Sequence, residues 1–451
     1  MCSIYRTIFK ATVYVHGFLE EPKVVCGLAG LWRSNCINEN QQQIRRVTMR
    51  KEMRLGLLVF LCLAVAAIMP LDASYGESTK ARTIKIGVPF ALTGFFSEAD
   101  VLHQQGAKIF QDWFNKRGGI TIKGEKYNIE FLYEDIKGTN DGAVAATQKL
   151  IHEDGVNFLV VSGPPPFNIG VTVVAEPAKA VRVNMYNCMM PDEMSSKTPY
   201  AFVCPVNSLI GTPGALSYLK RAYPAVKKVS WAIPADGSPP FLAPITEKAI
   251  KQAGYEITKR VEWSWGTVDW TPVATALLRG KPDAVMFMNG GPMSTGGMMK
   301  ALRELGFKGP LGAMCPDNIY ALLGIVGPEA SDIFIHSIKA DAPEMTPVIK
   351  EMVKMGLAAG YELPAAPDWV WVGTAAWPLV QAIEAAQSLD ATIVKDTFEK
   401  MKVIKTPYGD GRLCGLKTFG INHMITAPQP MAAIEKGVVK WVEWQPAPNL
   451  P

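Results

Sequence analysis

The chain has 451 residues, 48% hydrophobic and 19% charged, enough to bury more than one core and incompatible with an intrinsically disordered or collagen-like chain. Formal net charge is +5, yet residues 1–76 hold nine Lys/Arg against five Asp/Glu and the remainder 37 against 36, so no polyanion-binding surface and no nucleic-acid partner are implied. With five His, eight Cys and no C-x-x-C spacing, zinc and iron–sulfur chemistry are set aside, and neither metal nor cofactor is expected.

In chain order, the first distinctive feature is the uncharged run Leu55–Met69, preceded by Arg50, Lys51 and Arg54 and followed by small residues. It reads as a secretory signal peptide over 49–76, since a membrane span needs roughly 20 apolar residues. Translation is therefore expected to start at Met49, with Met53 as the other candidate, and 1–48 to be an artefact of the gene model. Cleavage is expected after Ala73 or Gly76. Leu61 is too bulky for the residue before a lipidated Cys62, so a soluble exported protein is expected. Beyond residue 76, Cys188, Cys204, Cys315 and Cys414 could pair, but an even number does not establish disulfides.

From Thr83 a short β-branched run, a Gly/Pro turn and a helix-period segment recur. Strands are predicted at 84–88, 128–133, 156–161 and 182–186, with helices at 101–116, 141–152 and 169–180. After 201–206 crosses away, a second series follows: helices at 212–222, 241–253 and 271–278 alternate with strands at 228–233, 255–263 and 284–289. The nearly all-apolar run Val156–Val161 is what a parallel strand covered on both faces requires. Two such series predict an α/β chain of two lobes, each a mainly parallel sheet with helices on both faces. Ligands of open α/β sheets bind beyond the carboxyl ends of the strands, so function is sought in those loops.

The segments KIGVPFALTGFFSEADVLHQQGAKIFQDWFNKRGGI, FLYEDIKGTNDGAVAATQKLIHEDGVNFLVVSGP, KKVSWAIPADGSPPF, GTVDWTPVATALLRGKPDAVMF and TPYGDGRLCGLKTFGINH, in this order, resemble the type I periplasmic substrate-binding proteins of ABC importers. The nearest branch is that of the leucine/isoleucine/valine-binding proteins. The resemblance implies the two-lobed periplasmic-binding-protein type I fold, with lobe 1 over 82–204 plus 334–424 and lobe 2 over 205–333 plus 425–451. It also implies crossings near Val203–Asn207, Ser331–His336 and Asn422–Thr426. It further implies a periplasmic location, a small-molecule ligand taken up by hinge closure, a membrane permease as partner and action as a monomer.

The resemblance also marks the binding loops. Where branched-chain amino-acid binders carry a Gly-Pro-x-Ser-Ser-like loop holding the ligand carboxylate, this chain has Ser162–Asn168, with Pro166 and Phe167 in place of the hydroxyls. A helix start near Asn168, with Asn168 as cap, would still favour an anion. The next loop places Asn187 and Met189 where the family has a Thr-bearing segment, and a thioether carries no donor. In the second lobe Phe241 follows Asp236, and Asn289 and Met293 stand where an acid usually pairs with the α-ammonium. Phe95, Phe96, Phe167, Met189, Phe241 and Met293 suit an apolar or aromatic body, and Asp317 could approach the cleft. The expected ligand is thus a small apolar or aromatic carboxylate, with a branched-chain or other amino acid as the alternative.

No G-x-G-x-x-G, G-x-x-x-x-G-K-[ST] or G-x-S-x-G motif supports an enzyme, and none is expected. An extracellular ligand sensor is the second alternative; a receptor would need a span of ~20 apolar residues, which is lacking after Thr83.

Overall fold

The computed structural model describes residues 82–185 and 190–448. The expected signal peptide, translation start and Cys62, and the candidates Asn187 and Met189, lie outside these residues. Among the described residues no helix is long and apolar enough to cross a membrane.

The first series builds one sheet. Strands β1 (Arg82–Phe90), β3 (Glu125–Asp135), β4 (Phe158–Val161), β5 (Val181–Asn184) and β6 (Ala201–Val203) pair in parallel, and β2 (Ile120–Ile122) closes one edge as a hairpin with β3. At the other edge come β14 (Met424–Thr426), β13 (Gly409–Cys414) and β12 (Ile404–Thr406), giving the order β12-β13-β14-β6-β5-β4-β1-β3-β2. Alternation decides what each face meets. Ile84, Ile86, Val88 and Phe90 pack with helices α1 (Ser97–Lys116), α9 (Pro347–Ala358) and α10 (Ala366–Ala386), whereas Leu159 and Val161 pack with α2 (Asn140–Gln148) and α3 (Pro165–Ala175).

The second sheet runs β16-β15-β11-β10-β9-β7-β8. Its strands β7 (Lys228–Pro234), β8 (Glu256–Trp263), β9 (Ala284–Phe287), β10 (Leu311–Pro316) and β11 (Ile333–His336) are parallel, and the hairpin β15 (Gln429–Glu435) and β16 (Val438–Gln445) joins antiparallel. Trp231, Ile233 and Met286 face α4 (Ser208–Ala222) and α5 (Pro239–Gln252). Ala232, Val285 and Phe287 face α6 (Thr271–Leu278), α7 (Gly291–Glu304) and α8 (Ile319–Val326). The predicted α/β class with two sheets covered on both faces is what forms.

The chain passes between the sheets after β6, after β11 and after β14. The second and third passages fall later than the sequence boundaries at 334 and 424, because 333–336 and 424–426 each complete a strand before the chain leaves. Cys204, Cys315 and Cys414 are buried free thiols.

Candidate functional site

The loop after β1 is held by its own polar groups. Asp135 accepts from Leu92 N (3.0 Å), Thr93 N (3.1 Å) and Thr93 Oγ1 (2.6 Å), and Asp100 accepts from Ala91 N at 2.6 Å. Phe96 is driven into the left-handed region (φ 74°), costly for a bulky residue and concentrated at functional sites elsewhere. Gly138 is required beside it, since a Cβ there would lie 2.4 Å from the backbone of Phe95.

This loop presents an aromatic group. Phe95, 41% exposed, stands against Phe96 and Phe167 with ring centres 6.2 and 6.1 Å away, and reaches Trp265 of the second sheet edge to face at 5.3 Å. Trp265 follows β8 and packs on Trp263 at 4.7 Å, and Trp263 packs on Trp270 at 5.2 Å. The buried indole N–H groups of Trp263 and Trp265 donate to no protein atom. The sequence reading passed over these tryptophans; the Trp-Ser-Trp run closing β8 was the available signal.

The loop after β4 differs from expectation. Helix α3 begins at Pro165, so its cap is Pro164 and Asn168 lies in the first turn. Pro165 and Pro166 have no N–H, and Phe167 N and Asn168 N both bond Pro164 O, at 3.0 and 3.5 Å. The free donors expected near Asn168 are thus absent or engaged, and the anion site read there loses its physical basis. Asn168, 1% exposed, donates instead to Gly163 O at 2.7 Å. Gly163 has φ 104°, and a Cβ on it would meet the Phe167 ring at 2.8 Å. Pro166 is exposed, its carbonyl accepting from Asn140 Nδ2 at 2.6 Å, on the side of α2.

Phe241 in α5 does not join the aromatic group around Phe95; it packs on Phe419 of the short helix Leu416–Phe419, 5.8 Å away. Met293 is 58% exposed on the first turn of α7. Asn289 is left-handed (φ 54°), and its N–H donates to Cys315 Sγ at 3.1 Å. Burial pushes the Cys315 thiol up to about 12, keeping it neutral.

Asp317 is fully buried and accepts from Asn318 N at 2.8 Å. Asn318 caps α8 and also reaches the other sheet's helices, donating to Pro364 O at 2.9 Å and to Asp368 Oδ2 at 2.5 Å. Asp368 Oδ1 lies 3.5 Å from His103 Nε2, whose Nδ1 is 2.9 Å from Asp100. Burial would lower the His103 pKa, but the hydrogen bonds to Asp100 and Asp368 outweigh it and raise it to about 9. His103 is thus a fully buried imidazolium between two carboxylates.

One acid escaped the sequence reading. Glu193, in the loop after β5, is fully buried, and its Oε2 accepts from Met190 N at 2.6 Å. The acidic pair Asp192–Glu193 directly after Pro191, in a loop that follows a strand, was the signal.

A family model described as periplasmic binding protein matches residues 83–434. A leucine-binding protein from Thermotoga maritima is similar in structure, with a TM-score of 0.65 at 19% identity, covering 80% of this chain and 99% of its own. So is a branched-chain amino acid transporter substrate-binding protein from Streptococcus pneumoniae, in complex with isoleucine (0.64, 19%, 81% and 100%). A solute-binding protein of an ABC transporter from R. palustris, in complex with 4-hydroxybenzoate, gives 0.63 at 20%, with 81% and 98% covered. At such identities the likeness establishes the fold.

Proposed function

Because the chain belongs to the periplasmic binding protein family, we propose that it captures one small ligand between the loops of its two sheets and delivers it to the membrane permease of an ABC importer. The observation that carries this reading is the meeting of Phe95 and Trp265 from the two sheets, beside the left-handed Phe96 and the buried Phe167. These rings offer an apolar or aromatic ligand body large, rigid surfaces at little entropic cost. Ligand held by one sheet's loops gains contacts to the other only when the two approach, so binding favours the closed arrangement. Neither covalent chemistry nor a cofactor enters this mechanism, and the exported protein acts as a monomer in the periplasm.

The two ligand classes seen in similar structures, isoleucine and 4-hydroxybenzoate, bracket the choice. A des-amino carboxylate would need donors that the start of α3 does not supply. An amino acid needs a buried acid, and Glu193 is one. A thermal-shift screen of amino acids beside aromatic and aliphatic carboxylates identifies the class, since a ligand of the native state raises apparent stability. Small-angle scattering with the hit then tests closure: a smaller radius is expected, and an unchanged radius at saturation would overturn the mechanism.

A further inference from the structure

We propose that Glu193, with Asn168 and Asn184, forms a subsite that holds a protonated amine of the ligand. The inference rests on the small-ligand reading above and assigns a chemistry to the ligand's polar end.

The placement follows from the packing of β5 against α3. Arg182 on β5 reaches Thr172 of α3, with Nη2 3.3 Å from Oγ1. Two residues along the strand, on the same face, stands Asn184; one turn earlier on the helix stands Asn168. Both steps lead toward the carboxyl ends of β4 and β5. Glu193 enters there, with the Asn168 amide against its carboxyl and Asp236 of the second sheet close enough to act on its charge. All three side chains are at most 1% exposed. Glu193 Oε1, Asn168 Oδ1 and both ends of the Asn184 amide nevertheless make no hydrogen bond within the protein.

Glu193 Oε1 and Asn168 Oδ1 therefore offer unused acceptor capacity side by side, with the unpaired Asn184 amide at the end of the adjoining strand, and an ammonium group brings three donors. A carboxylate brings none, and the prolines at the start of α3 remove the backbone donors that would have received it. Phe167, next to Asn168 in sequence and packed against Phe95, puts the aromatic surface beside this polar end. The acid of the related amino-acid binders was sought after a strand of the second sheet; here it comes from the loop after β5 of the first.

The protonation state of Glu193 supplies a signature. Burial raises its pKa to about 8 against the opposing Met190 N–H and Asn168 amide, and the charges of Asp236 and Asp192 add to the rise. Near neutral pH the ligand-free carboxyl holds its proton, and pairing with an ammonium requires losing it. Amine binding should therefore release a proton below about pH 8, and affinity should climb about tenfold per pH unit up to that point.

The test is calorimetric titration of the exported protein at pH 6, 7 and 8, each in two buffers of different ionisation enthalpy. The probes are leucine and phenylalanine beside 4-methylpentanoate and 3-phenylpropanoate. The expected result is tighter binding of an amino probe than of its des-amino partner, with about one proton released at pH 6. Glu193→Gln should weaken the amino probe at least about tenfold and abolish the release. If that variant does not fold, the wild-type proton count decides. Amine binding without proton release, or tighter binding of the des-amino partner, overturns the subsite. A des-amino ligand that also compacts the protein would do so while leaving the small-ligand reading standing; no binding and no compaction with any probe would overturn both.

Discussion

After the edge strand β8, Trp265 meets Phe95 ring to ring, and Phe95 is 41% exposed. Beside the passages of the chain between the sheets, Asn318 donates at 2.5 Å to Asp368, which is 3% exposed and shares His103 with Asp100. Both contacts join the two sheets, but by different physics. An aromatic edge-to-face contact is broad, and water can replace the partner at modest cost. A buried carboxylate is directional, and losing one partner leaves charge uncompensated. On the closure proposed above, the first would part and re-form as a ligand enters, while the second would hold the axis about which that happens.

Asp368→Ala gives the largest expected effect. It leaves the His103 imidazolium with Asp100 alone and the buried Asn318 amide without one acceptor, and should cost about 3–5 kcal/mol in a urea titration. A loss under about 1 kcal/mol would show the polar contact to be as replaceable as the aromatic one.

Next is pH. The His103 pKa stands at about 9 folded against the ordinary 6.5, so its contribution is full below about pH 6.5 and is lost as pH rises through about 9. Chemical denaturation between pH 6 and 9.5 should reveal a decline of order 3 kcal/mol from this group, and His103→Gln should flatten it. A slope unchanged in the variant would place the titration elsewhere.

Trp265→Ala comes third. Loss of its contacts to Phe95 and Trp263 should lower stability by only about 1 kcal/mol while enlarging the radius of gyration of the ligand-free protein. A large stability loss with unchanged radius would make this contact structural. Met293→Ala, at an exposed side chain, should alter stability by less than about 0.5 kcal/mol. A substantial loss of ligand affinity in that variant would place Met293 in the site.

Much of the fold was legible beforehand because strand and helix periods are local. Val156–Val161 announced a doubly covered strand, and Thr271–Leu278 formed the predicted helix to the residue. The start of α3 was misplaced by four residues because three consecutive prolines read as loop, although two of them suit the first helical turn. Phe95, Phe96 and Phe167 were singled out because aromatic residues shortly after strands stand out in the sequence. Glu193 and Trp265 were missed because their burial and neighbours depend on distant parts of the chain.

By itself the sequence determined the alternation of strands and helices, the division into two α/β series and the loops where a ligand is to be sought, all consequences of residue spacing and turn chemistry. Only the tertiary structure decided that Phe95 faces Trp265, that Asn318 reaches Asp368, and that Glu193 lies against Asn168. The first two pairings arise where two separately built sheets meet, and the third where the loop after β5 folds back on α3 of one sheet. Hydrogen-bond satisfaction and close packing select such partners in three dimensions, and no periodicity along the chain encodes them.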